Sequence, residues 1–228
     1  MKSYSDPIFK VAAVQMVSGP TVSANLEAAR GLIAEAARQG ARLVSVPEYF
    51  CIFGMRERDK VQVREPDGAG PIQQFLADIA KELGIWIVGG SVPLVCSDPG
   101  KVMNSCLVYN ESGERVARYD KIHLFGFATE TERYQESGTI EAGTAPVALD
   151  SPFGRLGLSI CYDVRFPELY RRFAPVDVIF VPSAFTATTG ARTGRYCCAR
   201  APSRTSPTWL PRRRAAGTPT AARRTATA

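Results

Sequence analysis

The chain has 228 residues, of which 45% are hydrophobic and 22% charged, enough for one α/β domain with a substantial core. Its net charge of +6 comes entirely from residues 192–228, which hold nine arginines and no acidic residue, so residues 1–191 offer no basic surface for nucleic acid. The sequence has no membrane-length apolar run, secretory signal, zinc-type cysteine spacing or phosphate-binding glycine motif, and we expect a cytoplasmic protein with reduced thiols.

Apolar runs and helical spacing alternate through the first 90 residues. Glycines follow both helical patterns, where they are common stop signals. The polar stretch from residue 51 to 70 is predicted to be a surface loop. The resulting elements are a strand at Phe9–Val17, a helix at Thr21–Gln39, a strand at Leu43–Glu48, a helix at Pro71–Leu83 and a strand at Ile85–Gly90.

Strands in hairpins dominate the next 90 residues. A glycine-containing loop is predicted at Phe125–Gly143, between the two hairpins. The predicted strands pair as Val102–Asn110 with Glu114–Lys121 and as Pro146–Leu149 with Arg155–Ile160, and a last buried strand spans Asp177–Pro182. Strands that alternate with helices and then form hairpins indicate a layered α/β or α+β sandwich.

Cys161 lies between an apolar strand, Leu156–Ile160, and a helical pattern at Pro167–Phe173. A side chain at such a junction faces the first N–H groups of the helix, which favour a thiolate and any oxyanion beside it. A single cysteine in this position is more often a buried, inert residue, so its role depends on what other strands bring to the same edge.

Two further strands end in ionisable residues. Glu48, in the segment VPEYF, is the last residue of the predicted strand Leu43–Glu48. Lys121 lies in the strand-like run YDKIHLF. A cysteine nucleophile needs a base for its proton and a cation or donors for the oxyanion, and these two residues supply both. Either residue taken singly is most simply a solvated surface charge.

Together, the segments VPEYF, YDKIHLF and SICYDVRFPELY resemble those of the nitrilase superfamily of carbon–nitrogen hydrolases, in its order and roughly its spacing. The resemblance runs from about Lys10 to Gly190. It implies a four-layer α-β-β-α sandwich that forms homodimers. It also implies a small-molecule amide as substrate and no metal or organic cofactor.

The resemblance also implies a role for each site residue. Glu48 is expected to be the general base, Lys121 to stabilise the tetrahedral intermediate and Cys161 to form the thioester. Glu136 matches a second glutamate that the family places in its site. The backbone N–H of Tyr162 is expected to complete the oxyanion hole.

The substrate is indicated less sharply. Arg165 lies where some family members hold a substrate carboxylate, although a surface arginine paired with Asp163 is an equal interpretation. The runs KIHLFGF and PSAFTATTG most resemble the branch that acts on deaminated glutathione. The alternatives are an ω-amidase acting on α-keto acid amides and an N-carbamoyl amino acid amidohydrolase.

Two other interpretations compete with this one. His123, the only histidine, is two residues from Lys121, so a cysteine–histidine hydrolase is possible by residue count. The chain is alternatively an inactive remnant that only associates through its exposed sheet, or a binding protein that uses its arginine-rich end.

The composition changes after Gly190, which predicts an incomplete hydrolase domain at residues 1–190 and a disordered tail at 191–228. The tail is rich in Arg, Ala, Thr and Pro. Ala191–Cys198 can be written in codons that encode it, and the same bases encode AHWEVLL when the first two bases are dropped. A chain of the nitrilase type is expected to continue with such a sequence. We therefore hypothesise that a frameshift begins within a codon or two of Gly190.

Overall fold

The computed structural model describes residues 9–128, 133–184 and 208–211. Four helices and thirteen strands lie in these ranges, with 3₁₀ turns at Glu136–Gly138 and Cys161–Arg165. The helices are α1 (Val22–Arg38), α2 (Asp59–Gln62), α3 (Pro71–Leu83) and α4 (Pro167–Phe173). The strands are β1 (Lys10–Ala13), β2 (Ala41–Ser45), β3 (Trp86–Val88), β4 (Val92–Leu94), β5 (Val102–Tyr109), β6 (Arg115–Asp120), β7 (Gly126–Ala128), β8 (Arg133–Gln135), β9 (Ile140–Glu141), β10 (Val147–Ser151), β11 (Gly154–Leu158), β12 (Val178–Val181) and β13 (Thr208–Pro211).

A seven-stranded mixed sheet forms the first β layer. Strands β1, β2 and β3 are parallel neighbours. The long strand β5 then pairs antiparallel with β3, β4 and β6 and parallel with β9. The end of β2, which leads to Glu48, and the end of β6, which leads to Lys121, therefore belong to the same sheet.

A second sheet has the order β10-β11-β12-β13. The strands β10 and β11 form an antiparallel hairpin, and β12 lies parallel to β11. The strand β11 leads directly into the turn that carries Cys161. The nucleophile candidate therefore comes from the second sheet, whereas Glu48 and Lys121 come from the first.

The two sheets pack face to face between helices. Helices α1 and α3 cover one face of the first sheet, and the apolar side chains Ile33, Ile72 and Leu76 join that core. A second core lies between the sheets and contains Leu43 from the first and Leu158 from the second. Helix α4 covers the other face of the second sheet, because a Cβ at Gly157 would lie 2.6 Å from Phe173. The order is thus α-β-β-α, as the resemblance to the nitrilase superfamily implied.

Helix α3 shows how local sequence sets these elements. Pro71 is its first residue, where the missing N–H costs nothing. Gly84 ends it in the left-handed conformation, with φ of 60°. The buried carboxylate of Glu65 accepts bonds from the first-turn N–H groups of Ile72, at 2.5 Å, and Gln73, at 3.1 Å. The helical spacing and the glycine that follows it predicted a helix at Pro71–Leu83, and the structure shows the same bounds.

Two predicted loops contain regular structure. The stretch from 51 to 70 includes helix α2, where Lys60 and Val61 are buried. The predicted loop Phe125–Gly143 contains the hairpin β7–β8, a 3₁₀ turn and strand β9. These elements have two to four residues each, too few to show the periodicity on which the sequence prediction relied.

The C-terminal stretch is described only at residues 208–211, where β13 pairs in parallel with β12. The sequence predicted disorder there, so these four residues differ from that expectation. The remainder of the predicted tail lies outside the described residues. No helix in the described ranges is long and apolar enough to cross a bilayer.

Candidate active site

Glu48 lies just after β2 and is 1% exposed. Its Oε1 accepts hydrogen bonds from Lys121 Nζ at 2.9 Å and from Asn104 Nδ2 at 3.1 Å. Its Oε2 accepts the backbone N–H of Ala184 at 2.9 Å. Three donors from three separate segments therefore hold this buried carboxylate in one orientation.

Lys121 is the first residue after β6, and its side chain is fully buried. Its Nζ lies 2.9 Å from Glu48 Oε1 and 2.8 Å from Glu136 Oε2, and so bridges two carboxylates. Burial disfavours the ammonium ion, but Glu48 and Glu136 outweigh it and raise the Lys121 pKa well above its ordinary value. Lys121 is therefore a fixed positive charge.

Glu136 opens a 3₁₀ turn and is 4% exposed. Besides Lys121, it accepts the Phe125 N–H at 2.7 Å and the Tyr49 hydroxyl at 3.3 Å. The structure thus brings Glu136 into the cluster of Glu48 and Lys121. These contacts fix both the lysine and the aromatic segment that begins at Phe125.

Cys161 begins the turn after β11, with its backbone in the left-handed region at φ of 49°. Such a conformation costs a residue other than glycine about 1–3 kcal/mol, and it is common at functional sites. The Cys161 N–H donates to Pro182 O at 2.9 Å, which anchors the strained residue to the segment after β12.

The Cys161 thiol is buried beside the three charged residues. Burial raises its pKa well above the ordinary value, Glu48 raises it further, and Lys121 opposes the rise. Burial and Glu48 thus both disfavour the thiolate, in the opposite direction to the expected effect of the helix N–H groups. The Ala184 N–H also interacts with this thiol, so it borders both Cys161 and Glu48.

Asp163 holds the turn that carries Cys161. One of its oxygens accepts the Tyr119 hydroxyl at 2.7 Å and the Ile160 N–H at 2.9 Å. The other accepts the His123 N–H at 2.9 Å and lies 2.7 Å from His123 Nδ1. Since Tyr119 and His123 flank Lys121, one buried carboxylate connects the cysteine turn with the lysine segment.

His123 belongs to this support. Its ring stacks on Phe166, with 3.7 Å between centroids, and its Nδ1 faces Asp163. Among the contacts of the described residues, none joins His123 to Cys161. The arrangement therefore favours Glu48 over His123 as the partner of the thiol.

Tyr162 and Arg165 lie on the exposed side of the same turn. The Arg165 guanidinium carbon is 5.3 Å from the centroid of the Tyr162 ring. Within the described ranges Arg165 makes no ion pair with Asp163, so the alternative of such a pair is not observed. The Tyr162 N–H has no acceptor among the described residues, which leaves it available to a bound molecule.

Sequence reasoning missed three participants, Asn104, Ala184 and Asp163, and it also missed the buried side chain of Lys60. Asn104 had a visible signal, since it is a polar residue inside the buried strand β5. Asp163 follows the nucleophile by two residues but was considered only as a partner for Arg165. Ala184 acts through its backbone, and Lys60 stands in a polar stretch, so neither had a local signal.

Comparisons with known proteins agree on one family. The sequence matches the family model described as carbon–nitrogen hydrolase over residues 10–203. It is 43% identical over 188 residues to a deaminated glutathione amidase of Synechocystis, which covers 80% of this chain and 68% of the relative. It is 38% identical over 186 residues to the human omega-amidase NIT2, which covers 80% and 66%.

A solved structure shows the same fold. The crystal structure of Saccharomyces cerevisiae Nit3, a member of branch 10 of the nitrilase superfamily, is 30% identical and superposes with a TM-score of 0.71. The match covers 83% of this chain and 69% of that one. This chain thus spans about two thirds of the length of each relative.

Proposed function

This chain belongs to the carbon–nitrogen hydrolase family, whose amidase-named members indicate amide hydrolysis, and we propose that it cleaves a small linear amide through a Cys161 thioester. The observation that carries the proposal is the buried contact of Lys121 with Glu48 and Glu136 beside the Cys161 thiol. A base, a fixed cation and a nucleophile are thereby assembled in one dry site.

Proton transfer starts the reaction. Because burial keeps the thiol neutral, Cys161 needs a base at the moment of attack. Glu48 is that base: its Oε2 and the thiol share the Ala184 N–H as a neighbour. The sulfur bonds to the amide carbon while its proton passes to Glu48, and the carbonyl electron pair moves onto oxygen.

The developing oxyanion meets two positive groups. Lys121 carries a charge that its carboxylate neighbours maintain, and the Tyr162 N–H is an available donor. Preformed donors in a water-poor site stabilise the tetrahedral state more than the ground state, because they need no reorganisation. Glu136 fixes the Lys121 ammonium and acts as a positioning residue.

Collapse of the intermediate breaks the carbon–nitrogen bond. Glu48 returns its proton to the leaving nitrogen, ammonia departs, and the acyl group remains on Cys161 as a thioester. Glu48 then takes a proton from water, whose oxygen attacks the thioester. The second collapse releases the carboxylic acid and restores the thiol.

We propose deaminated glutathione as the substrate. The support is the 43% identity to a relative of that name, together with the motifs KIHLFGF and PSAFTATTG. The 38% identity to a human omega-amidase makes α-keto acid amides the second candidate. N-carbamoyl amino acids are a third, with Arg165 available for a carboxylate.

The test is ammonia release from deaminated glutathione and from α-ketoglutaramate, measured with the wild-type chain, Cys161→Ala, His123→Asn and Glu48→Gln. We expect turnover in the wild type, none above background in Cys161→Ala, and activity retained in His123→Asn. Activity lost in His123→Asn but retained in Glu48→Gln would overturn the assignment of Glu48. If no amide is turned over by a folded wild-type chain, the inactive-remnant interpretation replaces this one.

A further inference from the structure

Lys60 is a buried cation that the proposed chemistry does not use. It is the second residue of helix α2, and 8% of it is exposed. Its Nζ lies 5.1 Å from the centroid of the Tyr49 ring. Lysine is among the residue types least often buried without a charged partner, so its position calls for an explanation.

Within the described ranges, the Lys60 ammonium has no hydrogen-bond or ion-pair partner. An ammonium carries three N–H groups, and among the described residues none of them meets a hydrogen-bond or ion-pair acceptor. Buried polar groups are nearly always paired, and an unpaired buried donor costs about 1–3 kcal/mol or more when charged. An acceptor supplied by a bound molecule would satisfy these donors.

Lys60 borders the candidate active site. Tyr49 directly follows Glu48, and its hydroxyl contacts Glu136 at 3.3 Å. Burial lowers the Lys60 pKa, whereas Glu136, Glu57 and Glu48 raise it, so the two carboxylates of the site and that of Glu57 lie within its electrostatic reach. Lys121 also acts on the Lys60 pKa. The Lys60 ammonium is therefore close to the proposed reacting groups, with the Tyr49 side chain in contact with both the ammonium and Glu136.

The charges of Glu48, Glu136 and Lys121 suggest a role for the Lys60 ammonium. Glu48 and Glu136 carry two negative charges and Lys121 one positive charge, so the three together are negative. An anionic substrate would be repelled by such a cluster. A further cation beside the cluster offsets part of this negative charge.

We propose that Lys60 binds a carboxylate at the far end of the substrate and so selects amides that carry an anionic group. The inference rests on the proposed function and deepens it. Tyr49 positions the ammonium through its ring, and Tyr49 is itself fixed by Glu136 and by the Ser91 hydroxyl, which accepts its N–H at 2.9 Å.

The experiment compares succinamic acid with butanamide, a neutral amide of the same chain length. Lys60→Met removes the charge at similar size, Lys60→Arg retains it, and Lys81→Met removes the charge of an exposed lysine. We expect Lys60→Met to lower kcat/KM for succinamic acid about 10- to 100-fold, chiefly through KM, as is usual for a lost charge-assisted hydrogen bond. Butanamide turnover should change less than about threefold.

The outcomes separate the possible roles of Lys60. Equal losses on both amides would overturn the inference, since Lys60 would then only balance the charges of Glu48 and Glu136. Unchanged kinetics on both would also overturn it and leave Arg165 as the carboxylate-binding residue. Recovery in Lys60→Arg and wild-type behaviour in Lys81→Met support it.

Direct binding distinguishes failure of this inference from failure of the proposed function. Succinate binding to the folded wild-type chain, Lys60→Met and Lys81→Met is measured by calorimetry, with thermal melts to verify folding. If no amide is hydrolysed, the proposed function fails, while weaker succinate binding in Lys60→Met alone still supports an anion site. Equal succinate binding by all three proteins, or none by the wild type, overturns the inference.

Discussion

Glu48 has more hydrogen-bond partners than its proposed task as a base requires. Lys121, Asn104 and the Ala184 N–H all donate to its two oxygens. These donors hold the carboxylate in place, so its negative charge acts on the Cys161 thiol from a fixed position. The carboxylate that is the proposed base is thus also a charge that, after burial, raises the Cys161 pKa.

Because Glu48 has both roles, we expect Glu48→Gln to slow amide hydrolysis and to make the Cys161 thiol easier to alkylate. Amide hydrolysis should fall about 100- to 10,000-fold, the usual contribution of a general base. The Cys161 pKa should fall as well, because a charge that raises it is lost while Lys121 remains. Alkylation by iodoacetamide should therefore begin at lower pH in Glu48→Gln than in the wild type.

Alkylation of Cys161 is followed by mass spectrometry between pH 6 and the onset of unfolding. In the wild type it should increase only above the ordinary thiol range, since the raised pKa means that the thiolate forms at higher pH. Glu27→Gln, on the exposed face of α1, controls for the loss of one carboxylate. An alkylation profile that moves to higher pH in Glu48→Gln would contradict the charge argument.

At the scale of elements, the short turn between β3 and β4 helps to position Glu48. Gly90, between β3 and β4, has φ of 56°, and a Cβ there would lie 2.0 Å from the Pro47 carbonyl oxygen. That carbonyl belongs to the residue before Glu48. The close approach of these two backbones therefore sets where the glutamate leaves the sheet.

Glycine-to-alanine substitutions should act with opposite sign at two positions. Gly90→Ala combines a left-handed backbone with the Pro47 clash and should destabilise the fold by about 3 kcal/mol or more. Gly31→Ala, at an exposed position of helix α1 where an added Cβ would meet nothing within 4 Å, should stabilise it by about 0.5–1 kcal/mol. Urea unfolding measures both, and a Gly90→Ala protein as stable as the wild type would sink the prediction.

Elements with a clear period were predicted well from sequence. Helix α3 and the hairpins β5–β6 and β10–β11 each show a spacing or a turn that is visible locally. The shortest elements, β4, β7, β8, β9 and α2, escaped because tertiary contacts rather than local propensity define them. The same limit hid Lys60, whose burial depends on Tyr49, and Ala184, whose backbone reaches Glu48 across 136 residues.

At the scale of the whole molecule, the second sheet is the less completed layer in the described structure. Strand β12 pairs on one side with β11 and on the other with the four-residue β13. A short edge strand forms few hydrogen bonds with its neighbour. The remaining backbone N–H and C=O groups of that neighbour are then free to pair with other chains. A longer strand in that place would add both hydrogen bonds and apolar burial.

The frameshift hypothesis can be tested on this sheet. We expect a chain rewritten from residue 191 in the shifted frame to unfold at a higher temperature, by about 2–4 °C for every kcal/mol gained, and to elute as one species. The printed chain should melt earlier or aggregate. Equally cooperative melting and a single monodisperse peak for both chains would contradict the hypothesis.

The contact between Ala184 and Glu48 has a consequence for synthesis on the ribosome. Glu48, Lys121, Glu136 and Cys161 emerge in that order, yet the N–H that borders both the carboxylate and the thiol comes last. A nascent chain stalled before residue 184 therefore holds every proposed reacting side chain without the backbone donor that aligns them. The contacts of the Ala184 N–H with Glu48 and Cys161 therefore form only after strand β12 has been made.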